Sequence, residues 1–235
     1  MTDYTPQTAL ITGASRGLGL ALAHELARSN WQLIINARSI VTLTAVADEL
    51  SQWTQVTAIA GDVADPAQQQ ALAEAASVLG GLDAVVNNAG ILGPSPQPAL
   101  LDYPVAILAD VYRINVLAPL GLLQAVAPFL KAEARIINVS SDAAVTPYEG
   151  WGGYGSSKAA LEQLTAVLAA ENPQYRIYWV DPGDMRTQMH QAAFPGEDIT
   201  DRPLPEASVP GFMALLTGNL PGGRYQARHI LVGAL

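Results

Sequence analysis

The chain has 235 residues, half of them apolar and 14% charged, enough material for one large α/β domain with a buried core. It contains no cysteine, which excludes disulfides, thiolate metal sites and cysteine nucleophiles. Lys and Arg number 12 against 21 Asp and Glu, and the net charge of −9 repels nucleic acid and anionic membrane surfaces.

The first residues, Met1 to Pro6, are polar and acidic and lack the basic start of a secretory leader, so a cytoplasmic location is expected. The apolar run Thr8–Thr12 reads as a buried strand, a glycine-rich turn follows, and helical periodicity covers Leu18–Ser29. The alternation continues with strand Gln32–Ala37, helix Val41–Gln52 and strand Val56–Ala60. Helix Pro66–Leu79 comes next, its start marked by Asp65 as N-cap and proline at the first helical position. Strand Ala84–Asn87 precedes a long helical segment, Tyr103–Lys131. Strand Arg135–Ser140, helix Gly155–Ala170, strand Arg176–Val180 and a last strand, His229–Val232, complete the series. Asp184–Pro205 has no clean period and reads as a loop with one short helix at most, of the kind that covers a site. No apolar run approaches the ~20 residues that span a bilayer; Val116–Leu130 is broken by Pro119, Gln124 and Pro128. Without repeats or linkers, this pattern predicts a single domain over 1–235. Its fold is a Rossmann-type doubly wound parallel α/β sheet of about seven strands with helices on both faces.

Between the first strand and the first helix stands Thr12-Gly13-Ala14-Ser15-Arg16-Gly17-Leu18-Gly19. Glycines at 13, 17 and 19 permit a tight turn and bring backbone N–H groups to a pyrophosphate at the positive end of the helix. The second strand ends in Asn36-Ala37-Arg38-Ser39, with an arginine where a carboxylate would bind a ribose 2′-hydroxyl. A guanidinium there suits a 2′-phosphate, which points to NADP(H). Arg16 is either a second cation for that phosphate or a solvated loop residue.

Further along stand Asp62-Val63, Asn87-Asn88-Ala89-Gly90, Asn115, Ser140-Ser141, Tyr154-x-x-x-Lys158, and Pro182-Gly183 followed by Thr187. With the glycine turn, these seven signatures in order resemble the single-domain short-chain dehydrogenases/reductases over nearly the whole chain. The resemblance implies that Asp62, with Val63 beside it, binds the adenine amino group. It implies that Asn88, Ala89 and Gly90 support the ribose and the central sheet, and that Thr187, after Pro182, Gly183 and Met185, reaches the nicotinamide carboxamide. It implies that Ser141, thirteen residues before Tyr154, bonds the substrate oxygen, that Lys158 also holds the nicotinamide ribose, and that Asn115 interrupts its helix to hold a relay water.

Reducing a ketone builds negative charge on its oxygen and needs a proton donor. Tyr154 is the natural acid, and Lys158, one helical turn along the same face, is expected to lower the pKa of the phenol. Ser141 would stabilise the developing charge. The three histidines, His24, His190 and His229, are too scattered for a metal. These readings converge on an NADPH-dependent carbonyl reductase or alcohol dehydrogenase for a small or medium carbonyl or hydroxyl substrate. The alternative is an NADP-binding regulator or sensor of the same fold; an epimerase would need a larger C-terminal domain.

Asp142-Ala143-Ala144 and Asp184-Met185 depart from the family pattern beside the substrate. Tyr148, Trp151, Met185, Met189, His190 and Phe194 either wall an aromatic pocket or pack a loop, and Asp142 and Glu149 disfavour an anionic substrate. A homodimer or homotetramer is expected, with the helices of Asn115 and Tyr154 in contact.

Overall fold

The structure is a computed structural model describing residues 6–230. Strands β1 (Thr8–Thr12), β2 (Gln32–Ala37), β3 (Val56–Ala60), β4 (Leu82–Asn87), β5 (Leu130–Val139), β6 (Arg176–Asp181) and β7 (Gly223–Gln226) form a sheet. Its order is β3-β2-β1-β4-β5-β6-β7, and the pairings are parallel. β1 pairs with β2 on one side and β4 on the other, so the order reverses there and a crevice opens at the carboxyl ends of the strands. This is the expected Rossmann-type architecture.

Helices α1 (Gly17–Arg28), α2 (Ile40–Leu50), α3 (Pro66–Val78), α4 (Val105–Tyr112), α5 (Ala118–Val126), α6 (Gly152–Glu171), α7 (Gln188–Ala193) and α8 (Val209–Thr217) cover both faces. Alternate strand residues face opposite ways. Ala9, Ile11, Leu33 and Ile35 pack in one core with α1, α2 and α8, whereas Leu10, Ile34, Val85 and Ile136 pack in the other with α3 and α5. The start of α3 is as read: the Asp65 carboxylate accepts from the Ala67 amide at 2.9 Å with Pro66 in the first turn.

Five features differ from those expected. The last strand is Gly223–Gln226 and not His229–Val232; Ala227–His229 is a 3₁₀ turn, and 231–232 lie outside the described residues. β7 is a sheet edge, only partly buried, so its Gly-Arg-Tyr-Gln sequence carries no apolar signature.

The segment Tyr103–Lys131 is not one α-helix. Pro119 has no N–H to give to the Asn115 carbonyl, and Arg113–Leu117 takes a wider π-turn in which the Ala118 amide donates to the Arg113 carbonyl. By length and composition the helical run Val105–Phe129 could cross a membrane, contrary to the reading that no such run exists. Here its Val111, Ile114, Leu122 and Val126 are buried.

Helix α6 starts at Gly152, three residues before the predicted Gly155, because its glycines serve close approach. A Cβ on Gly153 would lie 2.3 Å from the Tyr103 ring, and one on Gly155 would lie 2.7 Å from the Ala143 carbonyl. Helix α8 has no counterpart in the sequence reading; Pro210 and Gly211 in its first turn disguise it, and a Cβ on Gly211 would collide with the Ala227 carbonyl.

Candidate active site

The turn between β1 and α1 is shaped for a ligand that approaches the backbone. Gly13 and Gly17 have φ of +67° and +57°, and a Cβ on Gly19 would come within 2.4 Å of the Gly13 carbonyl oxygen. The turn is braced from β4. Asn88 Nδ2 donates to the Thr12 and Gly13 carbonyls at 2.9 and 3.2 Å, and Thr12 Oγ1 accepts from the amides of Asn88 and Ala89 at 3.1 and 3.0 Å. Ser15 and Arg16 stand at the rim, whereas the Leu18 and Val63 side chains are buried and leave only backbone to meet a ligand. This cradle fits the pyrophosphate of a dinucleotide.

Arg38 is exposed at the end of β2, beside the crevice. Arg16, read as a second cation, is engaged: its Nη1 donates to Gln188 Oε1 at 2.6 Å, tying the turn to α7. Asp62 accepts from the Ala64 amide at 3.0 Å and pairs with Arg113 at 3.1 Å. Burial works against the Asp62 carboxylate, but the Ala64 amide and the Arg113 guanidinium overcome it and hold the pKa below the ordinary value.

At the ends of β4, β5 and β6 the structure brings Asn115, Ser141, Tyr154 and Lys158 into one neighbourhood. A Cβ on Gly90 would lie 3.3 Å from Asn115 Oδ1 and 3.8 Å from Lys158 Nζ, so glycine keeps that space open. Asn115 is fully buried; its Oδ1 accepts from the Ile91 amide at 2.8 Å, and its Nδ2 donates to the Ile91 carbonyl at 2.9 Å and to Ser157 Oγ at 3.0 Å. Its side chain therefore braces α6 and the β4 loop, and only its main-chain carbonyl remains for a relay.

Lys158 Nζ donates to the Val139 carbonyl at 2.7 Å and lies 5.6 Å from the centre of the Tyr154 ring. Burial lowers the Lys158 pKa to about 8, with Glu162 pulling the other way. The expectation of a lowered Tyr154 pKa is reversed. Burial first, then the charges of Asp181 and Asp142, push the phenol up, and the Ser141 hydroxyl offsets only part of this. Lys158 does not counter them, because with its pKa at about 8 it has lost its charge before the phenol ionises.

Residues 7–198 match the family model described as short chain dehydrogenase. The chain belongs to that family. It is 32% identical over 240 residues to the rhamnolipids biosynthesis 3-oxoacyl-[acyl-carrier-protein] reductase of Pseudomonas aeruginosa, covering 95% of this chain and 93% of that one. Among solved structures it is similar to the oxidoreductase yciK from E. coli, with TM-score 0.88, 30% identity, and coverage of 94% of this chain and 95% of that one. It is similar as well to a Shigella flexneri chain assigned to the short chain dehydrogenases and complexed with NADP, with TM-score 0.86, 30% identity, and coverage of 94% and 97%. This short chain dehydrogenase is accordingly an oxidoreductase acting on carbonyl or hydroxyl groups.

Next to Ser141 a cleft of about 540 Å³, lined by none of the four residues themselves, runs from Asp142 past Asp181, Pro182, Gly183 and Asp184 to Arg228. Gly183 has φ of +73° and its amide donates to Asp181 at 2.8 Å; a Cβ there would meet the Arg228 guanidinium. Met185 packs against the core, and Thr187 caps α7, its Oγ1 accepting from the His190 amide at 3.1 Å. The segment after Gly183 is pinned by Asp184 to Arg202 at 3.7 Å and by Ser95 Oγ to the Ala192 carbonyl at 2.7 Å. Trp151 stands 5.9 Å from the Tyr154 ring and 5.8 Å from Phe194 on this segment, so part of the predicted aromatic group does assemble.

Sequence reasoning on this short chain dehydrogenase missed Arg113, Glu162 and Arg224. Arg113 reaches Asp62 across 51 residues, which no spacing rule announces. Glu162 had a signal, because it lies one helical turn beyond Lys158.

Proposed function

We propose that this short chain dehydrogenase is an NADPH-dependent carbonyl reductase, also able to run as an alcohol dehydrogenase, with Asn115, Ser141, Tyr154 and Lys158 as its working residues. The observation that carries the reading is the chain of contacts joining them: Asn115 and Lys158 flank the space at Gly90, Lys158 Nζ lies 5.6 Å from the centre of the Tyr154 ring, and the Ser141 hydroxyl bonds the Tyr154 phenol. The exposed Arg38 supports NADP(H) over NAD(H). Gly13, Ser15, Arg16, Gly17, Leu18 and Gly19 would hold the pyrophosphate, and Asp62 and Val63 the adenine. Asn88, Ala89 and Gly90 would line the ribose, and Pro182, Gly183, Met185 and Thr187 the nicotinamide.

Bound NADPH supplies a hydride to the carbonyl carbon. The raised pKa keeps the Tyr154 phenol protonated at neutral pH, the state required of an acid in the reducing direction. Its O–H delivers the proton to the substrate oxygen, on which Ser141 Oγ donates a second hydrogen bond. To do so Ser141 must leave Asp142, whose carboxylate accepts from it at 3.0 Å. Lys158, with a pKa of about 8, gives and takes protons near neutral pH and returns one to the tyrosine. Asp142, Asp181 and Asp184 along the cleft favour an uncharged substrate over an anionic one.

Tyr154→Phe is the deciding experiment, with NADPH oxidation followed by absorbance against aliphatic, aromatic and quinone carbonyls. Turnover should fall by roughly 10²–10⁴-fold, while NADPH binding, read by fluorescence, stays near the parental value. An active Phe variant ends the assignment.

A further inference from the structure

Behind the groups that face the cleft, the turn carrying Ser141 is gripped by an ion pair with no part in the roles above. Glu162 lies one helical turn beyond Lys158 on α6, and its side chain is only 12% exposed. Its Oε1 accepts from Ser140 Oγ at 2.6 Å, and its two oxygens accept from Arg224 Nε at 3.0 and 3.1 Å. Arg224 comes from the edge strand β7 and uses its Nη2 to donate to the Ser141 main-chain carbonyl at 3.2 Å. The same helix is tied to β5 on either side, by Lys158 Nζ to the Val139 carbonyl and by Asn138 Nδ2 to Thr165 Oγ1, each at 2.7 Å.

We propose that Glu162 and Arg224 are positioning residues that aim the Ser141 hydroxyl and set the charge that Lys158 faces. The inference rests on the reading of Tyr154 and Lys158 given above. Successive side chains of an extended segment point opposite ways, so holding the Ser140 hydroxyl and the Ser141 carbonyl fixes the direction left to Ser141 Oγ. Charge-assisted hydrogen bonds to a shielded carboxylate suit that task.

Around Lys158 the titratable and charged groups are Tyr154 and Glu162 on α6, and Arg224 on β7 reaches Glu162. Asp142 and Asp181, from the ends of β5 and β6, act on the phenol. Glu162 is the one whose charge supports the ammonium against burial. Glu162→Gln keeps an oxygen for Ser140 but removes that charge, so Lys158 should lose its proton at lower pH. Arg224→Gln leaves the Glu162 charge unneutralised, so Lys158 should hold its proton to higher pH. A part that was only structural would not move the two variants in opposite directions.

The chain has just two lysines, Lys131 and Lys158, so an NMR titration of the lysine side chains in the full chain is readily assigned with Lys131→Arg. The Glu162→Gln and Arg224→Gln midpoints should separate, downward and upward, each by about half a unit, a roughly threefold change in protonation ratio. Both variants should lower kcat while KM for NADPH below neutral pH stays within roughly twofold of the parent. Shifts in the same direction, or no shift together with parental kcat, would overturn the proposal. If Glu162→Gln does not fold by circular dichroism, the upward shift of Arg224→Gln decides alone. An active Tyr154→Phe variant sinks the catalytic reading and leaves the titration standing; an inactive one with an unmoved Lys158 sinks only the pair.

Discussion

Lys158 is 3% exposed, and burial brings its pKa from 10.5 to about 8. The unfolded chain keeps this proton to about pH 10.5 and the folded chain only to about 8, so between those values the unfolded state binds more protons and stability rises with pH. Below that window the buried ammonium costs the fold about 3 kcal/mol. Denaturant unfolding of the parent and of Lys158→Met should therefore show the parent gaining on the variant from pH 8 upward; a difference independent of pH would refute the burial argument. Arg38 carries the second expectation at this scale. Arg38→Ala should raise KM for NADPH by roughly tenfold or more and leave KM for NADH unchanged, because only the former carries the 2′-phosphate that a guanidinium grips. Equal losses in steady-state kinetics would remove the basis for NADPH preference. Both residues stood out in the sequence by spacing, but the direction of the Tyr154 shift did not. It depends first on the burial of the phenol and then on Asp181 and Asp142, which approach only once β5 and β6 lie side by side.

Among the elements, α8 shows how a helix absent from the sequence reading supports the site. Ser208, just before it, is fully buried and donates its hydroxyl to the Pro182 carbonyl at 2.7 Å. Ser208→Ala leaves that carbonyl without its donor, which should cost about 1–3 kcal/mol and lower the melting temperature. NADPH affinity should fall as well, since the Pro182-Gly183 turn loses its support. A variant with parental melting temperature and affinity would show that the hydrogen bond has no such part. The π-turn at Arg113–Leu117 teaches the same lesson from the other side. Pro119 and Asn115 were both visible in the sequence, and the resemblance alone implied an interrupted helix; the missing N–H of proline supplies the reason.

At the scale of the whole molecule, apolar side chains on the helices of Asn115 and Tyr154 remain open to solvent in the single chain, Leu117 at 59%, Val167 at 44% and Leu164 at 39%. The homodimer or homotetramer proposed for this family member would use that face. Sedimentation velocity should find the parent as a dimer or tetramer and Leu117→Glu with Val167→Glu shifted towards monomer. A monomeric parent would dispose of the idea.

Alternating apolar strands and amphipathic helices depend on local periodicity, so the parallel sheet, its first six strands and the glycine cradle could be read from the residues alone. Tyr154 and Lys158 were legible for the same reason, being one helical turn apart. The edge strand β7, the engagement of Arg16 by Gln188 and the grip of Arg224 and Glu162 on the Ser141 turn were not. Each joins side chains or strands far apart in the chain, and their free energy arises only when packing brings the partners together and removes the water between them.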